Sequence, residues 1–252
     1  MHLDVIDLRN FYYRTKLGRS AQRSLQGAMR GLWPDVKNMD VAGFGFAVPF
    51  LRPFLSEGQR VIGLMPGQQG VMHWPPGAAN LTALVEETAW PITAGSVDRL
   101  VVAHGLETCE RPDALLNEIW RVLAPGGRVV FIVPNRAGLW ARSDATPFGF
   151  GRPYSVGQLE SYLRHHRFQA ERHVMALYAP PSQRRFWLKS APFWEKWGHR
   201  MGGLGAGAIL LEAEKQVYAL PKGGLREAVK APVGILQGLG RPKPVQHGSA
   251  TK

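Results

Sequence analysis

The chain has 252 residues, 45% of them hydrophobic, which suffices for a proper core and excludes a disordered polymer; one α/β domain with appendages is the simplest organisation. Its 31 Lys and Arg against 19 Asp and Glu give a net charge of +12, a balance that favours acidic partners such as nucleic acid, anionic membrane or carboxylate and phosphorylated small molecules. The single cysteine, Cys109, excludes an intrachain disulfide, and the lack of an apolar leader or of a run of about eighteen apolar residues predicts an unexported, cytoplasmic protein with no transmembrane segment.

In chain order, Asp4 or Asp7 can cap a first helix in which Leu8, Phe11, Tyr12 and Leu17 recur at helical intervals. A second helix, about 20–32, stops at Pro34. Residues 38–42 read as a first strand, followed by the turn Gly43-Phe44-Gly45-Phe46-Ala47. Two glycines there let the backbone bend tightly and approach a ligand where a side chain would collide, with the N–H groups of the next helix facing it. A second strand is expected at 60–64, and the connection after it carries Gln68, Gln69, His73 and Trp74, as suits a loop over a cleft. The pair Glu86-Glu87 reads by itself as a solvated carboxylate pair at a strand end. The strand at 96–103 runs into His104, at the carboxyl end where open α/β sheets place their ligands. A histidine there serves as a catalytic base or donor, or it caps the next turn.

From Ala114 to Arg136 the sequence reads as one unit: a helix with Leu115, Ile119, Val122 and Leu123 at helical spacing, a Pro125-Gly126-Gly127 break, and the apolar strand 129–133. A helix feeding a strand buried on both faces is half of a right-handed crossover, and implies a parallel sheet covered by helices on both sides. The following loop sets Arg136, Arg142 and Arg152 beside Trp140, Phe148 and Tyr154, which can hold an anionic or planar group or simply tie the loop down. Ser155 caps a helix at 156–166, whose adjacent His165 and His166 diverge too far to share a metal; no metal site is expected. A strand at 169–178 follows, and a last one is expected at 208–219.

Between Arg184 and Arg200, Phe186, Trp187, Phe193, Trp194 and Trp197 alternate with basic residues, and Pro192 suits the first turn of a new helix. Such a stripe is either packing or a face for a membrane or partner. Residues 182–200 carry net +4 and 222–252 net +5, so nine of the twelve excess charges lie beyond residue 174. The expected organisation is a helical cap at 1–36, an α/β domain at 37–221 with a basic aromatic insertion at 182–206, and a flexible basic tail at 222–252. That tail offers no aromatic for base stacking, which disfavours nucleic acid as a partner.

The helix-RVLAPGG-strand unit, with Glu118, Arg121, Val122, Leu123, Pro125, Gly126 and Gly127 in matching places, resembles the run before the fifth strand of class I S-adenosylmethionine-dependent methyltransferases. The preceding stretch Trp90–Glu107 is similar to that family's segment before and through strand four, with Asp98 in place of a usually structural aspartate. The resemblance spans about Lys37 to Val174 and implies a doubly wound, mostly parallel seven-stranded sheet with an antiparallel last strand. It also implies S-adenosylmethionine as cofactor, with Gly43, Gly45 and Ala47 as the glycine loop beneath it and Glu86, next to Glu87, near the adenine amino group. Two positions depart from the pattern: Val41 stands where the family has an acid before the loop, and Met65 stands where an acid accepts from both ribose hydroxyls. A thioether cannot replace a carboxylate, and each lost charged hydrogen bond weakens binding by about 1.5–3 kcal/mol.

Two functions lead, ahead of a basic nucleic-acid or membrane-surface binder built on the same fold. One is a methyltransferase for a small, anionic or aromatic acceptor, with His104 as base and Arg136, Trp140, Arg152 and Tyr154 toward the acceptor. The other is a catalytically degraded relative serving as an interaction or regulatory subunit. Its partner would dock on the 182–201 segment, and resemblance suggests a hydroxyacylglutathione hydrolase. Methyl transfer works largely by alignment and water exclusion, so the lack of a nucleophile elbow or Walker loop excludes neither.

Overall fold

The computed structural model describes residues 3–198 and 205–217; the expected tail at 222–252, and positions 199–204 of the basic aromatic insertion, lie outside the described residues. Helix α1 (Val5–Arg9) is capped by Asp4, whose carboxylate accepts from the Ile6 N–H at 2.7 Å. A wide turn at Asn10–Arg14 follows, and Thr15 caps α2 (Lys16–Leu32), which starts a turn earlier than its apolar spacing predicts. Leu17, Ala21, Leu25, Met29 and Leu32 form its buried stripe.

Strand β1 (Asp40–Gly45) includes both glycines expected in the turn, because Gly43 and Phe44 keep pairing with β2 (Arg60–Pro66) on one side and Gly43–Gly45 with β4 (Val97–Ala103) on the other. A short helix α3 (Val48–Leu51) leaves β1, and β3 (Thr82–Val85) lies outside β2. Helix α4 (Pro112–Val122) runs straight into β5 (Leu123–Pro134), where Gly126 at φ +72° turns the backbone. Helix α5 (Val156–His165) opens with a full capping box between Ser155 and Gln158. Strand β6 (Phe168–Ala176), helix α6 (Arg185–Gly198) and β7 (Ala208–Lys215) complete the unit. Helix α6 passes through position 192 unbroken, contrary to the new start that Pro192 predicts.

The sheet order is β3-β2-β1-β4-β5-β7-β6, with β1 to β5 parallel and β7 antiparallel to both its neighbours. The doubly wound class expected from sequence is therefore the one observed. Strand residues divide alternately between two cores. On one face, Val41, Met65, Val101, Val130 and Leu210 pack with Leu8, Tyr12, Leu25 and Met29 of the N-terminal segment. On the other, Phe44, Leu64, Leu100, Phe131 and Leu211 pack with Leu115, Ile119, Leu159 and Leu163 of α4 and α5. A buried carboxylate joins α2 to the far edge: Glu212 accepts from Trp33 Nε1 and from Arg172 Nε, each at 2.6 Å.

Candidate functional site

The chain crosses from β1 to α3 at the carboxyl edge of the sheet. A Cβ on Gly43 would stand 2.7 Å from both Ala47 Cβ and Leu51 Cδ1, and one on Gly45, at φ +75°, would stand 2.3 Å from the Ala103 carbonyl oxygen. The two glycines are thus required by the close approach of α3 and of β4. Phe46 N–H donates to that same Ala103 oxygen at 2.8 Å, pinning the turn to the end of β4. His104 comes next, at φ +51°, a left-handed conformation uncommon outside glycine and often stored at functional sites. Its carbonyl accepts from Gln69 Nε2 at 3.0 Å, so the loop after β2 closes over this turn.

The imidazole of His104 is 1% exposed and lies between two groups. Its Nε2 is 2.7 Å from Tyr12 Oη, and its Nδ1 stands 3.3 Å from Glu107 Oε1, outside hydrogen-bond geometry. Burial pushes the Tyr12 phenol well above its ordinary range, reinforced by the negative charge of Glu107, so the hydroxyl remains protonated. Of the two neutral tautomers, the one with Nε2 accepting from the phenol and the ring proton on Nδ1 avoids setting a nitrogen lone pair against the carboxylate of Glu107, and is the one the geometry favours. Among the described residues, both Glu107 oxygens, His104 Nδ1 and Gln69 Oε1 are buried without a hydrogen-bonding partner. Each such group costs about 1–3 kcal/mol, and a carboxylate more, so the three oxygens of Glu107 and Gln69 form an acceptor set that suits a ligand bringing donors. The loop after β5 fixes Glu107 from behind: Arg152 N–H donates to its carbonyl at 2.8 Å, and Gly151, at φ +80°, passes too close for a side chain.

Around the polar cluster the surroundings are aromatic. The Tyr12 ring stacks on Phe46 at 5.8 Å between centroids and meets Phe50 edge-on at 5.6 Å, while Phe148 stands edge-on to His104 at 5.0 Å. Tested against S-adenosylmethionine, the two halves of the site differ. The ribose end does not fit, because Val41 and Met65 are buried apolar side chains, Met65 fully, and supply no acceptor for sugar hydroxyls. Asp40 does not compensate: it lies at the amino end of β1, with Arg60 Nε 3.3 Å from its Oδ1. The amino-acid end does fit, since an ammonium brings the donors that Glu107 and Gln69 lack.

The expected site residues are distributed as follows. Gly43, Gly45, Ala47 and His104 adjoin at the β1–β4 edge, and Met65 is the penultimate residue of the neighbouring β2. Glu86 is exposed, and Glu87 is buried on the opposite face, where it raises the Cys109 thiol after the larger effect of burial. Arg136, Arg152 and Tyr154 line one open depression of about 440 Å³ with Asp113 and Tyr162. Burial, with a further push from Glu107, raises the Tyr154 phenol to about 12. Trp140 points elsewhere: its Nε1 donates to the Ala179 carbonyl at 2.8 Å, and it lines a cavity of about 260 Å³ between α2 and α6 with Leu17, Ala21, Leu177, Trp187 and Leu188. Sequence reasoning missed Tyr12, Gln69 and Glu107 as site residues. The signal for Tyr12 was a phenol inside an otherwise apolar helical stripe. Among the described residues, no group of three His, Cys, Asp or Glu is arranged to hold a metal ion, and no helix is long and apolar enough to cross a membrane.

Comparison with known proteins gives a consistent picture. Residues 42–131 match the family profile described as a methyltransferase domain. A ubiquinone/menaquinone biosynthesis C-methyltransferase from Rubrivivax gelatinosus is 37% identical over 60 residues, which is 24% of this chain and 24% of that protein. The match thus spans about a quarter of the length of that curated relative. Among solved structures, an S-adenosylmethionine-dependent methyltransferase from Thermotoga maritima superposes with a TM-score of 0.56 at 16% identity, covering 79% of this chain and 92% of the other. The [4+2]-cyclase SpnF superposes with a TM-score of 0.53 at 17% identity, covering 79% and 82%. These similarities at low identity concern the fold.

Proposed function

Since residues 42–131 match a methyltransferase-domain profile and the sheet has the fold of S-adenosylmethionine-dependent methyltransferases, we propose that the protein transfers a methyl group to a small acceptor, and that the arrangement described above is its closed form. The observation that carries this reading is the pair of buried acceptors Glu107 and Gln69, beside His104 at the carboxyl end of the central strands, left without donors among the described residues. When bound, S-adenosylmethionine supplies an electrophilic methyl group; Glu107 and Gln69 would hold its amino-acid end.

The chain's own residues do the rest. Tyr12 keeps His104 in the tautomer with a free electron pair on Nε2, and its ring with Phe46, Phe50 and Phe148 keeps water out. Withdrawal of the segment carrying Tyr12 exposes Nε2, which then takes a proton from an acceptor hydroxyl or amine while Glu107 steadies the resulting imidazolium. Trp140 and the cavity beside it, on the same edge of the sheet, suit an apolar or aromatic acceptor.

A second reading is favoured by the buried Val41 and Met65: a scaffold or interaction subunit, or another chemistry on the same fold, as in the cyclase. Calorimetric titration with S-adenosylmethionine separates the two. Binding tighter than about 100 μM supports the methyltransferase. Absence of heat and of thermal stabilisation at high ligand favours the scaffold, for which co-purification of a hydroxyacylglutathione hydrolase would be the corresponding positive result.

A further inference from the structure

Helix α6 carries two aromatic rows. Trp187, Leu188 and Ala191 line the cavity between α2 and α6 opposite Leu17 and Ala21, and Glu195 accepts from the Tyr178 N–H at 3.1 Å, so the inner face of α6 looks into the molecule. Gly198 lets the Tyr178 ring lie against the end of the helix, where a Cβ would come within 2.2 Å. The outer row is different. Phe186, Phe193 and Trp197 are 68%, 55% and 49% exposed. Their spacings of seven and four residues put them on one stripe of the helix. Phe193 and Trp197 rest against each other at 5.7 Å between centroids, a ridge rather than three scattered side chains.

Alongside this ridge runs a basic depression of about 370 Å³, to which α2 contributes Lys16, Arg19 and Arg23 and α6 contributes Arg185 and Lys189. No carboxylate lines it, and among the described residues none of these five cations forms an ion pair. A solvated face would not expose three large aromatics beside five unpaired cations. A protein groove is also a poor complement, because the aromatics stand out from a helix and do not line a pocket. Aromatic rings that enter the headgroup boundary, flanked by Lys and Arg at the depth of the phosphates, describe an interfacial helix.

We propose that this face of α6, with the adjoining turns of α2, docks the protein on an anionic phospholipid surface. Co-sedimentation of the full chain with phosphatidylcholine vesicles, with and without phosphatidylglycerol, tests it. The parent chain should pellet with the anionic vesicles far more than with the neutral ones, and added salt should weaken this. Each basic residue removed should weaken binding about fivefold, so Arg19→Ala, Arg185→Ala and Lys189→Ala combined should lose roughly a hundredfold. Phe186→Ser with Phe193→Ser, both at exposed positions, should weaken binding by about tenfold or more and abolish what survives high salt. Residues 222–252, with their own net +5, are present in parent and variants alike, so losses belong to the α2–α6 face. Circular dichroism establishes that both variants fold. A parent that does not prefer anionic vesicles overturns the proposal and turns attention to an acidic protein partner. Either variant binding like the parent also overturns it.

Discussion

Replacing Tyr12 by alanine separates what holds the fold from what fills the site. Tyr12 is fully buried, its ring packs on Phe11, Phe46 and Phe50, and its hydroxyl makes the one hydrogen bond to the His104 ring among the described residues. Removing a buried aromatic costs about 3–5 kcal/mol in a core that relaxes only partly. In a chain of this size that lowers the melting temperature by roughly 6–20 °C. Ligand affinity should move the other way. If the ring stands where the ligand goes, the parent must first move it into water at a cost of about 1.5–3 kcal/mol, and the variant need not. Apparent affinity for S-adenosylmethionine should then rise roughly ten- to a hundredfold, read by calorimetry below the lowered melting temperature. A variant that melts earlier but binds no more tightly refutes the closed-form argument, and one that melts like the parent refutes the packing itself.

Other expectations concern neighbouring parts. Met65→Asp restores an acceptor at the end of β2 and should tighten binding of the same ligand, while an unchanged constant shows that Met65 does not face the sugar. Glu118 accepts from Trp90 N–H and Arg121 Nη2, both at 2.6 Å, and joins α4 to the loop before β4; Glu118→Gln should cost about 1.5–3 kcal/mol in chemical denaturation. Burial works to raise its carboxyl, but Arg121 and the Trp90 N–H outweigh that and hold it below the ordinary value. Its contribution is therefore present above the ordinary carboxylate range and lost as pH falls through the lowered folded value. Gly198→Ala drives a methyl into the Tyr178 ring and should loosen α6, costing about 1–3 kcal/mol and red-shifting tryptophan emission. Cys109 is buried, and burial with Glu87 raises its thiol to about 12, so it should react with a disulfide reagent at neutral pH only after unfolding.

Much of the sheet was legible because its strands are short β-branched runs bounded by glycine and proline, and because the Pro125-Gly126-Gly127 turn has few structural solutions. Strand ends were less so: β1 continues through Gly43 because cross-strand pairing on both sides decides its end, and no local residue does. Helix α6 continues past Pro192 although local propensity marks a new start there. The glycines of the β1–α3 turn were readable from backbone chemistry alone. The network of Tyr12, His104 and Glu107 was not, since its first two members are 92 residues apart and meet only because α1 and the turn after it fold back over β4. Nor did spacing show that Trp140 parts from Arg136 and Arg152, which follows from the Ala179 carbonyl that holds its indole.

The order of the sheet bears on how the molecule is made. Of the described strands β7 is the last to leave the ribosome, yet it lies between β5 and β6 and joins them. Until residues 208–215 emerge, β5 keeps an unpaired border along Val129, Phe131 and Val133, and β6 has no strand to pair with. A nascent polypeptide halted before that point is therefore an adhesive intermediate, prone to zip onto a stranger's strand and in need of chaperone shelter.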